Sequence, residues 1–519
     1  MPNPKPSKSP GSDSAGSPSE MSLALTNYIR AGYPGLYVVS PEELRVEAEF
    51  RAIADRLAYH LHFWSVVDGL VDVASKTVKP PNDPLEALEA VGSLPEKSLV
   101  LLKDFHLFLG DPNPILLRKL KDTLLLAKMR QKVIVILGCR LCLPPELERE
   151  LTVIEFQLPG KEELRPVLAG IMESAKLPGV TVEVREKAVE AASGLTTMEA
   201  ENAFALSVAE TSAITPTIIA REKAQAVKKN GLLEIVAAKE SLDSIGGLDV
   251  LKDWLLQRRH AFSQRARDYG LPSPKGLLIL GLPGTGKSLT AKATAQVFNV
   301  PLLKLDAGRI FAGLVGQSES NLRSVIQTAE AIAPCVLWID EVEKGFSGSK
   351  SSGSTDGGTS ARVFGSMLSW LQEKTKPVFL VATANDVSQL PPELLRKGRF
   401  DEMFFVDLPN PAEREAIWRI VVAKHRRDAG DFDLAQLARA SEGLTGSEIE
   451  QVFIEALYAA FDAEDEPNDL DIAGVLTEFV PLSKLMAEQI TGLRQWAKGR
   501  ARLATSPAAP ERRLRKLAA

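Results

Sequence analysis

Two stretches of this 519-residue chain recur in the same order at nearly the same spacing, and that repetition limits the possible folds more than any other feature. LPPELER (143–149) returns as LPPELLR (390–396), and ASGLTTMEAENAF (192–204) returns as SEGLTGSEIEQVF (441–453), both obeying G-L-T-x-x-E-x-E-x-x-F. Between these landmarks each half carries a Leu-Pro after an aromatic-bearing strand. Leu158-Pro159 and Leu408-Pro409 precede the G-L-T leucine by 37 and 36 residues. Matched motifs at matched separation mean that one unit occurs twice.

The halves differ where chemistry would sit. In the second, the apolar strand GLLIL (276–280) runs into GLPGTGKS (281–288), which fits G-x-x-x-x-G-K-[ST] and opens a helix-favouring stretch, SLTAKATAQVF. Loop amides and a helix N-terminus then converge on one point, as a phosphate requires. Glycine lets the backbone come close to the anion and adopt positive φ. Gly281, Leu282, Pro283, Gly284, Thr285 and Gly286 are expected to cradle the nucleotide, with Lys287, Ser288 and Leu289 at the helix start. Lys287 would neutralise the β- and γ-phosphate charge of ATP, and Ser288 would ligate Mg²⁺. In the first half GLYVVS (35–40) runs into PEELRVEAEF, with no glycine cluster, lysine or hydroxyl at that spacing. That copy is expected to lack a phosphate loop and to serve structure or recruitment.

CVLWIDEV (335–342) supplies a buried strand whose carboxylates emerge beside the loop: Asp340 to hold the metal through its water shell, Glu341 to polarise an attacking water. The next apolar strand, PVFLVATAND (377–386), ends at Asn385, whose amide would orient that water and report on the γ-phosphate. LPPELLRKGRFDE follows, with Arg396 and Arg399 three apart. An arginine delivered to the γ-phosphate of another subunit raises turnover by about 10³–10⁵, a reading that demands an oligomer. In the first half LVLLKDFH (99–106) matches CVLWIDEV with Asp104 in the place of Asp340, and His106 reads as a structural histidine.

On these motifs residues 240–485 resemble a AAA-family ATPase module. SLDSIGGLDVLKDWL (241–255) is similar to the segment before that family's phosphate loop, which implies that Ile245 and Gly246 border the adenine. LVGQSESNLRSVIQTAEAIAPCVLWIDE (314–341) resembles the run from the central-pore loop to the metal-binding acids. ATANDVSQLPPELLRKGRFD matches the sensor asparagine and paired arginine fingers, and GLTGSEIEQV the start of the second-sensor helix. Within the family the pattern is similar to AAA proteins encoded by cyanobacteria and red-algal plastid genomes. That likeness rests on the degenerate first half, GLPGTGKSLTAKA, WIDEVEKGFSG, SSGSTDGGTSARVFGSMLSWLQEK and LRQWAKGRAR. The resemblance implies an α/β fold of tandem P-loop NTPase-like units, each a parallel sheet flanked by helices with a helical lid, and an ATPase using ATP and Mg²⁺ in a hexameric ring. Two departures stand out. Leu314-Val315-Gly316 lacks the pore-loop aromatic that grips a threaded peptide by contact area; Phe311 is the nearest substitute, a core phenylalanine being the commoner reading of it. Gly446-Ser447 offers no second-sensor arginine.

The expected domains are a disordered leader (1–20), a degenerate AAA-like domain (21–235), an ATPase α/β subdomain (240–407), a helical lid (408–485) and a basic tail (486–519). The leader is Pro/Ser/Gly-rich without the apolar run of a secretion signal. FSGSKSSGSTDGGTS (346–360) reads as a loop facing the ring axis, gated by a partner or passively inserted. After residue 490 the tail has eight basic residues against Glu511 and is the segment that suits RNA, DNA or acidic protein, a solvated end being the commoner outcome. A net charge of −5 gives no overall attraction to nucleic acid or membrane, and no apolar run reaches membrane-spanning length. The three cysteines suit a reducing cytoplasm or, for a plastid-encoded chain, the stroma. Cys139 and Cys142 form a C-x-x-C without a second pair, and read as small buried residues at a strand end. The leading function is a ring-forming remodeller of a protein client. The alternative is a slow ATP-gated scaffold whose first half recruits a partner.

Overall fold

The structure is a computed structural model that describes residues 20–506 except 80–81, 111–112, 178, 230, 239, 312–316, 350–356 and 397. Leu314, Val315 and Gly316, the centre of the 346–360 loop, the leader before residue 20 and the chain after 506 lie outside the described residues, as does the Phe311 side chain. The chain divides into two compact units, residues 1–178 with 196–205, and residues 179–195 with 206–519. The helices Val182–Ala192 and Pro216–Lys229, expected with the first domain, thus group with the second unit.

In the first unit seven strands, β1 (Gly35–Val39), β2 (His60–Ser65), β3 (Gly69–Asp72), β4 (Val78–Lys79), β5 (Ser98–Lys103), β6 (Val133–Gly138) and β7 (Thr152–Glu155), pair in the order β4-β3-β2-β5-β6-β1-β7. In the second unit β8 (Leu233–Val236), β9 (Gly276–Gly281), β10 (Leu302–Leu305), β11 (Cys335–Ile339), β12 (Val378–Ala384), β13 (Glu402–Val406) and β14 (Arg502–Leu503) pair as β14-β13-β9-β12-β11-β10-β8. Without the edge additions, each sheet is the same parallel ribbon of five, ordered fifth, first, fourth, third, second along the chain. Helices cover both faces, so the strands are near-continuous apolar runs. Alternate residues feed separate cores: Leu278, Leu280, Leu337 and Ile339 on one face of the second sheet, Leu277, Ile279, Val336 and Trp338 on the other.

The registers prove the duplication residue by residue. Gly35 opens β1 opposite Ile134 and Gly276 opens β9 opposite Leu380. Leu36 faces Thr152, and Leu277 faces Glu402, which brings Leu158-Pro159 onto Leu408-Pro409. After β13 a lid of helices (Pro411–Lys424, Leu434–Ala440, Gly446–Asp462, Asp469–Glu478) closes on Trp418, Phe432, Phe453 and Ile472. Its first helix starts at a capping box of Asn410 and Glu413 with proline at the first turn.

The basic stretch from 486 is not a tail as far as residue 506. Residues Ala487–Ala497 form a helix whose Ile490, Leu493 and Ala497 enter the second unit's core, and the chain returns as β14 along β13. Arg494 grips Asp407 through Nε and an Nη (2.8–3.0 Å), and Arg502 lies 3.8 Å from Glu402. These cations serve the fold.

Candidate nucleotide site

The loop leaving β9 turns at Gly284 (φ 77°) and Gly286 (φ 90°), in the left-handed region that favours glycine. At Gly284 space is also short: a Cβ there would lie 2.0 Å from Ser447 Oγ. The Ser447 N–H donates to the Gly284 carbonyl at 3.1 Å, so the lid helix Gly446–Asp462 starts directly on the loop. Leu282 is buried, Pro283 exposed, and Thr285 Oγ1 donates to the Leu282 carbonyl (2.8 Å). Gly286 caps the helix Lys287–Phe298, whose first amides open towards the loop, while the Leu289 side chain is 38% exposed on its outer face. Lys287 is buried. Its Nζ donates to the carbonyls of Gly281 (2.8 Å) and Leu282. Burial pushes this ammonium down to about 8, against the pull of Glu343, Asp340 and Glu341.

Ser288 Oγ donates to Asp340 Oδ1 (3.2 Å), joining the helix start to the end of β11. Thr383, fully buried on β12, donates to the same carboxylate oxygen at 2.7 Å and accepts the Glu341 N–H at 2.9 Å. Lys304 Nζ lies 3.9 Å from Asp340 Oδ2 and over the Trp338 ring. A hydroxyl and a carboxylate side by side are hard oxygen donors that fit Mg²⁺, which keeps several waters. Glu341 adopts φ 50°, a sparsely populated conformation for a side-chain-bearing residue. Its Oε1 accepts from Asn385 Nδ2 at 2.9 Å and its Oε2 pairs with Lys344. The Lys344 hydrogen bond holds the Glu341 carboxyl below the ordinary glutamate range. Glu343 is buried beneath these groups. It accepts the Asn385 main-chain N–H (2.9 Å), and burial pushes its carboxyl up.

On the other side of the loop Ile245 is buried, its Cγ2 4.0 Å from where a Gly286 Cβ would stand. Gly246 lies against the lid: a Cβ would meet Ile417 Cγ1 at 2.4 Å. Glu413, at the base of the lid, accepts from the Leu248 N–H (3.0 Å), the Asn410 N–H (3.0 Å) and Thr505 Oγ1 (2.6 Å). Ile245, Gly246, Gly284 and the Gly446-Ser447 start are therefore brought together, with a neutral hydroxyl at the second-sensor position.

The loop carrying Arg396 and Arg399 is anchored elsewhere. Lys275 Nζ donates to the Gly398 carbonyl (3.0 Å), and Asp401 Oδ2 accepts the N–H groups of Lys275 (2.7 Å) and Gly276 (3.0 Å). These are at the opening of β9, about 17 Å before Gly281 at about 3.3 Å per residue. Arg396 is exposed. Arg399 is half-buried, its Nε enclosed without a hydrogen-bond partner among the described residues.

The first unit shows what replaced the site. The helices Glu43–Leu57 and Lys287–Phe298 both end on a left-handed residue, Ala58 and Asn299. Counting back from these, Val46 stands for Lys287 and Glu47 for Ser288, so nothing was deleted; the helix starts a turn earlier and fills the loop. The strand registers place Lys103 at the position of Asp340 and Asp104 (φ 53°) at that of Glu341. The match of Asp104 to Asp340 expected from the sequence is thus shifted by one residue. Lys103 Nζ pairs with Glu47 and with Glu43 (2.9 Å), an ion pair where the second unit has Ser288 and Asp340. Cys139 stands for Asn385 and is exposed, not buried as expected, while Cys142 is half-buried and both thiols are free. His106, 2% exposed, takes the place of Glu343; burial pushes its imidazole down and keeps it neutral. Among the described residues no cluster of His, Cys, Asp or Glu suits a metal.

Sequence reasoning missed Thr383, Glu343 and Glu413. Thr383 had a signal, a hydroxyl in the buried run VFLVATA; Glu343 is the third acid of IDEVE.

Comparison with known proteins agrees with this geometry. Residues 277–408 match the model of the ATPase family associated with various cellular activities (AAA). Residues 21–156 match the SpoVK-like AAA ATPase N-terminal domain, and residues 162–230 the second domain of the same group. The chain is 42% identical over 486 residues to the uncharacterized AAA domain-containing protein ycf46 of Trieres chinensis, covering 92% of this chain and 97% of that one. It is 40% identical over 485 residues to the protein of the same description from Pyropia yezoensis, covering 92% and 98%. A cell division cycle protein 48 homolog of Archaeoglobus fulgidus is 31% identical over 219 residues, 41% of this chain and 30% of that one.

Proposed function

We propose, from the premise that this chain belongs to the ycf46 family of AAA domain-containing proteins, that its second unit binds Mg²⁺·ATP and hydrolyses it at a seam between protomers. The observation that carries the reading is the joined set Lys287, Ser288, Asp340, Thr383, Glu341 and Asn385, in which every hydrolytic group is hydrogen-bonded to a neighbour or a main chain. Mg²⁺ would be held from Ser288 and, through water, from Asp340, and when bound it supplies charge neutralisation at the β- and γ-phosphates. Lys287 gives its proton-bearing Nζ to the phosphates instead of its own loop carbonyls. Glu341 accepts a hydrogen bond from the attacking water, and Asn385 keeps the carboxylate turned towards it. Ile245, Gly246 and the Gly446-Ser447 start border the base, so nucleotide exchange involves the lid. The anchoring of the Arg396–Arg399 loop at the far end of β9 supports delivery of these arginines to a neighbour's nucleotide, hence a ring, for which the family resemblance suggests a hexamer.

The work done by this cycle is proposed to be remodelling of a protein client, with the first unit as recruiting platform. Leu314 in place of an aromatic favours the second reading, an ATP-gated scaffold whose hydrolysis times release. The proposed place of action is the cytoplasm, or the stroma if the chain is plastid-encoded; no described helix is long and apolar enough to cross a membrane. Nucleic-acid binding would fall to the basic residues after 506 and would show as ATPase stimulation by RNA or DNA. The test of the core reading is Glu341→Gln: it should bind ATP as the unaltered protein does while turnover falls by at least about 100-fold. Undiminished turnover would refute it. The two readings separate on Leu314→Ala: lost client processing with intact turnover means remodelling, no effect means a switch.

A further inference from the structure

Glu343 has no part in the roles given above, yet its setting is unusual for a carboxylate. It is 6% exposed; one oxygen accepts the Asn385 main-chain N–H at 2.9 Å, and Oε2 is buried without a hydrogen-bond partner among the described residues. A buried acid with one oxygen unpartnered costs stability, so something other than stability must account for it.

The duplication supplies an independent comparison. In each unit the chain leaves the third strand of the parallel ribbon through a left-handed residue, Asp104 or Glu341. The residue two further on tucks under the end of the adjoining strand. In the second unit that pair is Glu343 under Asn385. In the first it is His106, whose Nε2 lies 3.8 Å from Cys139 Sγ and whose ring blocks any side chain at Gly138. The strand order is the same in both units, so the fold does not need an acid at this place. The acid and the asparagine are present together where the phosphate loop is present, and both are replaced where it is filled.

We propose that Glu343 is a positioning residue for hydrolysis: by holding the Asn385 main-chain N–H it sets where the Asn385 amide meets Glu341 and the attacking water. The inference rests on the ATPase reading above. It acts on the sensor strand end and not on nucleotide contacts, so it should move kcat and leave ATP affinity alone.

The test compares Glu343→Ala, Glu343→Gln and Glu343→Asp in the full-length protein, measuring steady-state ATP turnover and equilibrium binding of a fluorescent ATP analogue. Alanine removes the acceptor and should lower kcat at least tenfold with KM and analogue affinity within twofold. Glutamine keeps an acceptor at the same reach and should retain kcat within about threefold, whereas aspartate, charged but a methylene short, should behave like alanine. If alanine does not fold, the glutamine and aspartate variants decide. Unaltered kcat in alanine or aspartate overturns the inference, as does a glutamine variant losing turnover and analogue binding together. Absence of turnover in the unaltered protein would remove the ATPase reading and this inference with it; normal turnover insensitive to Glu343 removes this inference alone.

Discussion

Replacing Lys287 by methionine should abolish ATP binding and, in the nucleotide-free protein, make the second unit more stable. The Lys287 ammonium is enclosed, and its proton is held down to about 8 against an ordinary 10.5. At about 1.4 kcal/mol per pH step, that interval corresponds to about 3 kcal/mol by which the charged lysine destabilises the folded state at neutral pH. The sign follows from proton binding. Between about 8 and 10.5 the unfolded chain binds the proton more tightly than the folded one, so stability rises with pH through this window, and the full penalty is present below it. Methionine has similar bulk and no charge. It forfeits the hydrogen bonds to the Gly281 and Leu282 carbonyls, about 1 kcal/mol each, leaving a net gain of about 1 kcal/mol. For a unit of this size that raises the unfolding midpoint by about 1.5 °C. The assay is calorimetry without nucleotide at pH 7 and pH 9.5. Lys374 is also pushed down to about 8 by burial, so the quantity to read is the difference between the two proteins. The gap should vanish near pH 9 and be reversed at pH 9.5. A methionine variant less stable than its parent at pH 7, or a gap that does not change with pH, would refute the reasoning.

Thr383→Val keeps the shape but removes both the bond to Asp340 and the acceptor for the Glu341 N–H; we expect about 2 kcal/mol lost from the second unit and turnover reduced by at least tenfold, read by calorimetry and phosphate release. In the first unit Lys103→Met should destabilise by about 2 kcal/mol because Oε1 of the buried Glu47 loses its cation, while Arg51 still holds Oε2 at 2.8 Å. The double variant with Glu47→Gln should recover most of that loss, with the ATP affinity of the second unit unchanged; additive losses in denaturant titrations would contradict the pairing.

The phosphate loop, the acids and Asn385 were legible because each combines a rare residue pattern with a flanking apolar strand, and the duplication because its landmarks lie where two turns end. Three things were not. The end of an apolar strand does not announce which residue turns left-handed, so Asp104 read as the partner of Asp340 until the register and φ placed Lys103 there. Arginines at 494, 500 and 502 masked the helical period of Ile490, Leu493 and Ala497, and a structural segment looked like a solvated tail. Glu343 and Glu413 act on main-chain groups distant in sequence, Asn385 and Leu248, and no local pattern encodes such partners.

The most direct measurement of the shared site is a mixing experiment between two inactive proteins. Glu341→Gln keeps the arginines but cannot activate water; Arg396→Ala with Arg399→Ala keeps the phosphate loop and Glu341 but has no guanidinium to deliver. Each alone should turn over ATP at least about 100-fold more slowly than the unaltered protein. Combined in equal amounts and allowed to reassemble, they should regain measurable hydrolysis, since about a quarter of seams in a random ring would join an intact loop to intact arginines. Turnover no greater than the sum of the separate proteins, or an arginine-free protein as fast as its parent, would contradict the account.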